Sequence, residues 1–389
     1  MNSLDLKLHK HILFAVDHYN PLNVLRNLSE AGLAPIVVLY GKSHSLIKNS
    51  RYLTVCHRVK TLEEGLSVIL KTYGNEIYKP FIYTSGDDIQ SFLDSHYDEL
   101  KDGFHFFNAA GTGRVSYLQN KDVIGKIAEE SGFIIPNSEV VDTGIMPKKL
   151  KYPIMTKVLS STMGAWKGDV YVCKNEEELK EAYKKIKSPK LNLQEFLQKK
   201  NELCYEGFSI NHGQDVFIPF VSEYIRCSGT SYGHYLSYNL LKEEETISKL
   251  KNLIKRTGFE GIFDVEFLVD KRGVKYFLEV NFRTTTWTYA VSKGGANLPY
   301  LWAKSTLQGY IDYNSIQLEK NTFTAMAESD DFLISVVKNR KVSLIQWISD
   351  MKSCKCLFYY DSKDKKPGYY HWFYVCSRFV LKKLHIIKS

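Results

Sequence analysis

The chain of 389 residues contains little of what marks several protein classes. Ten prolines and 24 glycines are too few for a collagen-like or low-complexity chain, and no run approaches the ~20 apolar residues that span a bilayer. Its seven cysteines are odd in number and mostly isolated, as is typical of reduced thiols and not of a disulfide framework. No small-residue cleavage site follows the N-terminal stretch, so we expect a cytoplasmic protein.

What is present is the composition of a globular protein. Hydrophobic residues make up 44% of the chain, and 52 Lys and Arg against 43 Asp and Glu give a formal net charge of +9. The length predicts two or three domains, each long enough to bury its own core. No recognised nucleic-acid fold signature accompanies the positive charge, so we expect no nucleic-acid partner.

The first 110 residues alternate short apolar runs with amphipathic stretches. This rhythm predicts strands alternating with helices, and hence a parallel sheet covered on both faces. The first predicted strand is followed by His18-Tyr19-Asn20-Pro21, whereas a dinucleotide site needs a glycine-rich turn there. We therefore expect an N-terminal parallel α/β domain over residues 1–115 that lacks the dinucleotide fingerprint.

Beyond residue 115 the pattern changes. A helix is predicted from Lys121 to Ser131, and strands with a single charged helix, Glu176 to Ile186, replace the strand–helix alternation. Antiparallel strands covered by helices are typical of an α+β module. Two neighbouring apolar strands, Gly261 to Asp270 and Val274 to Arg283, are the most informative part of it.

These two strands carry acidic and amide side chains. They are predicted to form a hairpin in which Glu266 and Glu279 face the same side, and the spacing by two directs Glu279, Asn281 and Arg283 to one face. Such oxygen ligands suit Mg²⁺, or alternatively Mn²⁺, that also holds a nucleotide phosphate, and Arg283 would add a cation for the phosphoryl group. The solvated face of an exposed hairpin is the alternative, but the other residues of both strands are apolar, and buried carboxylates need partners.

The segments DVEF and FLEVNFR resemble the signature of the ATP-grasp superfamily, a Glu on one strand and Glu-x-Asn on the next. They look most like the carboxylate–amine ligase branch, with D-aspartate ligase-like enzymes, carbamoyl-phosphate synthetase and biotin carboxylase. The resemblance implies a two-subdomain ATP-grasp fold over residues 116–310, with a lid at about 125–195. It also implies that Glu266, Glu279 and Asn281 hold Mg²⁺ and that Arg283 meets the transferring phosphate or the substrate.

Further matches lie upstream in the order that the family requires. Lys121 resembles the lysine that opens the module, and Lys157 resembles the strand lysine that contacts the ATP phosphates. A solvated residue at a helix start is the alternative for Lys121. The resemblance also implies a loop that covers the phosphates, a hinge strand at the adenine and a carboxylate at the ribose. These are Ser160, Ser161 and Gly164 in the loop, Gln194, Glu195, Phe196 and Leu197 in the hinge strand, and Glu202 at the ribose.

The implied reaction converts a carboxylate to an acylphosphate, which an amine then attacks to give an amide, ADP and phosphate. The implied partners are small carboxylate and amine substrates, such as an amino acid or a cell-surface polysaccharide or peptidoglycan precursor; oligomerisation stays open. Arg226 is a candidate for binding a substrate carboxylate or the γ-phosphate, with an ion pair as the alternative. A bicarbonate-activating enzyme like carbamoyl-phosphate synthetase or biotin carboxylase and a non-catalytic ATP-binding protein are the competing interpretations.

Residues 311–389 contain no matching motif and are expected to form a small extension rich in basic and aromatic residues. From Lys363 to Ser389 there are seven basic residues and one acidic residue. Such a segment suits peripheral contact with an anionic membrane at its inner face. A helix that packs its aromatic side chains inward and solvates its lysines is the alternative.

Overall fold

The computed structural model describes residues 4–42, 46–159, 169–226 and 233–383, with the backbone alone over 379–383. Within these ranges the chain forms a five-stranded, a four-stranded and a seven-stranded sheet. The mixed α/β and α+β architecture predicted from the sequence is confirmed.

The N-terminal sheet is parallel throughout, with the strand order β3-β2-β1-β4-β5. Its strands are β1 (His11–Val16), β2 (Pro35–Tyr40), β3 (Val55–Val59), β4 (Phe81–Thr84) and β5 (His105–Phe106). The helices that accompany it are α1 (Tyr19–Glu30), α2 (Leu62–Tyr73), α3 (Asp87–Ser95) and α4 (Tyr97–Leu100). Alternate residues of β1 enter two different cores, Leu13 on one face and Phe14 on the other, so both faces are covered as predicted.

The strand order changes direction at the centre of this sheet. From β1 the chain runs outward through β2 and β3, and it then returns to the other side of β1 as β4. In open α/β sheets the crevice beyond the carboxyl ends of such neighbouring strands is where ligands bind. The segments that follow β1 and β4 therefore border a crevice.

The four-stranded sheet is a small separate layer with its own core. It consists of β6 (Ser138–Asp142), β7 (Ile154–Lys157), β8 (Val172–Cys173) and β9 (Lys190–Glu195), in the order β6-β9-β7-β8, with α7 (Glu176–Tyr183) against it. Ile154, Leu179 and Leu191 belong to this core. The preceding helices are α5 (Arg114–Leu118) and α6 (Lys121–Glu130). Ile124 and Ala128 of α6 enter the main core and not the core of this small sheet.

The seven-stranded sheet forms the body of the molecule, in the order β14-β13-β10-β11-β12-β15-β16. Its strands are β10 (Lys199–Ile210), β11 (Asp215–Tyr224), β12 (Tyr235–Leu240), β13 (Gly261–Asp270), β14 (Lys275–Asn281), β15 (Phe323–Met326) and β16 (Cys356–Leu357). The associated helices are α8 (Glu244–Thr257), α9 (Thr288–Lys293), α10 (Leu298–Gln308), α11 (Glu328–Asp331) with a π-helical continuation (Phe332–Lys338), α12 (Leu344–Ser353) and α13 (Lys365–Lys383).

Two of these strands come from the expected extension. β15 pairs antiparallel with β12, and β16 pairs parallel with β15. The sheet therefore continues past residue 310, where the sequence suggested a domain boundary. Both strands are short and solitary in sequence, with four and two residues, so the local pattern gives little sign of them.

A buried ion pair fastens this C-terminal region to the N-terminal domain. The Nε of Arg26 on α1 lies 3.0 Å from the Oδ2 of Asp364, and the two side chains are 0% and 1% exposed. Arg26 also donates to the carbonyl oxygens of Phe358 and Tyr359, and Asp364 accepts from the Ser50 hydroxyl. Because each charge is paired and hydrogen-bonded, burial of the pair is tolerated, and removal of one partner would leave the other uncompensated.

We predict that Arg26→Met lowers the free energy of unfolding by about 3–5 kcal/mol, because it leaves the Asp364 carboxylate buried without its cation. Urea denaturation followed by circular dichroism measures the change. The matched control is Arg256→Met, which removes an exposed pair with Glu130 (43% and 61% exposed) and should cost less than about 1 kcal/mol. Equal losses in the two variants would contradict a structural role for the Arg26–Asp364 pair.

Candidate active site

Strand register brings the predicted acidic residues together. In the antiparallel β13–β14 pair Glu266 lies directly opposite Glu279, and Asp264 lies opposite Asn281. The Asn281 Nδ2 donates to Asp264 Oδ1 at 2.7 Å and to Glu266 Oε1 at 3.1 Å. Desolvation raises the pKa of Glu266 well above its usual range, and the carboxylates of Asp264 and Glu279 add to the rise. The three predicted metal ligands therefore form one cluster, which needs positive charge nearby.

Two lysines from different layers supply part of that charge. Lys121, the first residue of α6, places its Nζ 2.7 Å from Glu279 Oε2, and this contact lowers the pKa of Glu279. Lys157, at the end of β7 in the small sheet, is largely desolvated. Desolvation, aided by the charge of Lys121, lowers the pKa of Lys157 to about 8. The small sheet thus contributes a cation to the cluster on the large sheet.

Arg283 connects the cluster to the crevice of the N-terminal domain. Its Nε and Nη2 donate to the two carboxylate oxygens of Asp87, at 2.6 and 3.1 Å, and Nη2 also donates to Asn281 Oδ1 at 3.1 Å. Asp87 is the first residue of α3, just beyond β4, and Thr284 donates to the carbonyl of Thr84 at the end of β4. Sequence reasoning missed Asp87, for which the only available signal was its place after a predicted strand.

A second group of buried polar residues lies beside the cluster and was also missed. Glu206 on β10 accepts hydrogen bonds from the hydroxyls of Thr285 and Thr288, the latter at 2.8 Å. Burial raises the pKa of Glu206 to about 8, and the Asp264 carboxylate adds to the rise. Burial likewise raises the pKa of Asp264 to about 6, against the opposing charge of Arg283. The sequence signal that could have identified Glu206 and Asp264 is the presence of acidic residues on strands whose other residues are mostly apolar.

The residues matched to a nucleotide pocket lie on or beside strands of two different sheets. Glu202 on β10 is paired with Lys199 at 3.0 Å and lines a small cavity with Glu266 and Tyr224. Gln194 and Glu195 end β9, and Phe196 and Leu197 follow it. Glu195 Oε1 accepts from the backbone N–H of Asn137, and the Phe196 N–H donates to the carbonyl of Pro153. Ser160, Ser161 and Gly164 lie outside the described residues.

Arg226 forms ion pairs with two acidic residues of the C-terminal region. Its Nη2 lies 2.7 Å from Asp331 Oδ2, its Nη1 forms an ion pair with Asp350, and its guanidinium lies over the Tyr235 ring. Both acids belong to the C-terminal region, more than 100 residues away in sequence. The described contacts thus favour the ion-pair alternative over a substrate contact, because all three guanidinium nitrogens already donate to carboxylates.

The donor set fits a hard divalent cation that is completed by other ligands. Among the described residues, no group of three or more His, Cys, Asp or Glu side chains is arranged to hold a metal ion. Two carboxylates with one amide instead match the way Mg²⁺ is bound, by one or two carboxylates together with phosphate and water oxygens. Lys121 and Lys157 would favour a phosphate in the same place.

Comparison with known proteins gives structural matches only. No protein-family model matches the chain, and no curated protein matches its sequence. Among solved structures, N5-carboxyaminoimidazole synthetase from Staphylococcus aureus superposes with a TM-score of 0.64 at 16% identity, over 86% of this chain and 87% of that one. Biotin carboxylase from Campylobacter jejuni gives 0.62 at 17%, over 83% and 76%. L-amino acid ligase from Bacillus licheniformis gives 0.60 at 16%, over 81% and 79%.

These likenesses cover 81–86% of this chain, and at such identities they establish the fold alone. The class of fold is an open parallel α/β domain followed by a four-stranded and a seven-stranded sheet. It is the ATP-grasp fold that the strand motifs of this sequence resemble.

The position of Glu206 leads to a pH-dependent prediction. The raised pKa means that Glu206 binds its proton more tightly in the folded protein than in the unfolded chain. Its favourable contribution to the free energy of unfolding is therefore complete below about pH 4.5 and is lost as the pH rises towards about 8. Glu206→Gln keeps the neutral shape without titrating. Between pH 5 and pH 8 the wild type should therefore lose free energy of unfolding that this variant keeps. We expect the difference between them to shift in favour of the variant by at least about 2 kcal/mol.

Urea titrations across this pH range measure the difference. Glu129→Gln, an exposed substitution on α6, is the control and should leave the difference between variant and wild type flat. A flat difference for Glu206→Gln as well would show that Glu206 is charged in the folded protein at neutral pH.

Proposed function

We propose that this protein is an ATP-dependent carboxylate–amine ligase that forms an amide through an acylphosphate. The observation that carries the proposal is the cluster of Glu266, Glu279 and Asn281, which Lys121 contacts from α6 and Lys157 approaches from the small sheet. Such a cluster concentrates oxygen ligands for a cation and positive charge for phosphates in one cleft. The fold, shared with an L-amino acid ligase, supports the proposal.

In this proposal ATP lies between the small and large sheets. Glu266, Glu279 and Asn281 would hold Mg²⁺, which when bound supplies neutralisation of phosphate charge. Lys157 and Lys121 would contact phosphate oxygens, and Glu202 would bind the ribose. Because phosphoryl transfer to a carboxylate mainly requires alignment and charge stabilisation, no side-chain nucleophile is needed.

In this proposal the substrate carboxylate binds beside Arg283 at the crevice beyond β4. Asp87 holds the Arg283 guanidinium with two hydrogen bonds, which fixes its direction before any substrate arrives. An acylphosphate formed there carries charge next to this fixed cation, and an amine entering from the crevice could attack its carbonyl carbon. The proposed partners are therefore two small molecules, one acid and one amine.

A second candidate function is activation of bicarbonate. The fold is also shared with a biotin carboxylase and an N5-carboxyaminoimidazole synthetase, and bicarbonate presents a small anionic O–C–O group like that of a carboxylate. In that case carboxyphosphate would replace the acylphosphate, and the same cations would stabilise it.

The test is phosphate and ADP release from the purified protein with ATP and Mg²⁺ across a panel of D- and L-amino acids, carboxylated sugar precursors and bicarbonate. Release that needs both an acid and an amine supports the ligase. Release with bicarbonate alone supports the second candidate. Tight ATP binding without turnover across the panel would favour the non-catalytic interpretation.

In the same assay Glu279→Ala and Asn281→Ala should each lower kcat by about 100-fold or more, since each removes an oxygen ligand beside the transferring phosphate. Their circular dichroism spectra should match wild type. Glu245→Ala, an exposed acid on α8, is the control and should retain activity. Turnover that survives both site substitutions would exclude the metal assignment.

The pKa of Lys157 predicts how ATP binding depends on pH. A lysine with a pKa of about 8 loses its charge as the pH rises from 7 to 9, so ATP affinity should weaken by up to about tenfold over this range. Lys157→Arg keeps its charge and should flatten this dependence. Isothermal titration calorimetry at several pH values measures both proteins, and parallel pH dependences would show that Lys157 does not contact the phosphates.

A further inference from the structure

The C-terminal helix α13 is fixed to the body along one face. Asp364, the residue before it, is buried against Arg26. On the helix, the His371 ring stacks on Tyr359 at 3.8 Å, and Trp372 packs against Phe332 and Trp347. These contacts determine which side of the helix faces solvent.

The opposite side presents large aromatic side chains to water. Tyr369 is 60% exposed and Phe373 is 75% exposed, and their i, i+4 spacing places them next to each other on one stripe. Exposed Lys365 and Lys366 lie one turn before Tyr369 on the same side of the helix. Isolated exposed apolar residues are ordinary, but adjacent aromatics beside exposed lysines are typical of surfaces that meet a partner.

The charge of this surface is of one sign. From Lys363 to Ser389 the sequence has seven basic residues and a single acid, Asp364. Because Asp364 is buried and neutralised by Arg26, it does not offset the basic residues at the surface. The outer face of α13 is therefore cationic and aromatic, with no described acidic residue among residues 365–378.

We propose that this face of α13 docks on an anionic phospholipid surface. Tyr369 and Phe373 enter the interface between head groups and acyl chains, while Lys365 and Lys366 attract acidic head groups. A second copy of the chain fits less well, because a two-fold contact would bring like charges together. Contact is peripheral: among the described residues no helix is long and apolar enough to cross a bilayer. The proposal is independent of the proposed ligase activity.

Co-sedimentation of the full chain with vesicles tests it, using phosphatidylcholine alone or with about one third phosphatidylserine. Wild type should bind the anionic vesicles, and binding should weaken as salt is raised. Lys365→Gln with Lys366→Gln should lower the partition coefficient by about tenfold or more. Tyr369→Ser with Phe373→Ser should lower it as well, without changing the midpoint of unfolding.

Matched controls separate this face from general surface properties. Ile77→Ser removes an apolar side chain that is 93% exposed on the N-terminal domain, and Lys174→Gln with Lys185→Gln removes two exposed lysines of the small-sheet layer. Both should bind vesicles as wild type does. The proposal is overturned by equal binding to neutral vesicles, by no binding, by preference for duplex DNA, or by a dimer in solution that Phe373→Ser dissociates.

Discussion

Two carboxylates, Glu266 and Glu279, face each other on neighbouring strands, and their mutual repulsion has to be offset by cations from elsewhere in the chain. The helix after the N-terminal domain supplies Lys121, the small sheet supplies Lys157, and Arg283 lies at the end of the acidic strand itself. Each layer is thereby tied electrostatically to the same point. A cation bound here would contact the same carboxylates, and a phosphate would contact the same basic side chains, so neither ligand would require a change of fold.

Arg283 also couples the site to the N-terminal domain. Its two hydrogen bonds to Asp87, together with the contacts of Thr284 to the end of β4, dock the large sheet on the crevice of the parallel sheet. The crevice and the carboxylate cluster are therefore parts of one surface. This explains how a ligand at the carboxyl ends of parallel strands could lie beside groups carried by antiparallel strands.

The C-terminal region is part of the body and not an appendage. It adds β15 and β16 to the large sheet, pairs Asp364 with Arg26, and supplies Asp331 and Asp350 to Arg226. These buried or half-buried ion pairs join segments separated by more than 100 residues. Each ion pair stabilises the arrangement of the sheets only while both partners are present, because removal of one partner leaves the other as a desolvated, unpaired charge.

The sequence by itself determined the alternating α/β domain, the β13–β14 hairpin and the common face of Glu279, Asn281 and Arg283, because strand periodicity and short turns are local properties. It also indicated β13 with the bounds that the structure has. Only the tertiary structure decided that Asp87 pairs with Arg283, that Glu206 lies beside Asp264, and that Arg226 serves the C-terminal region. Those contacts depend on strand order and long-range packing, which no local pattern of residues encodes.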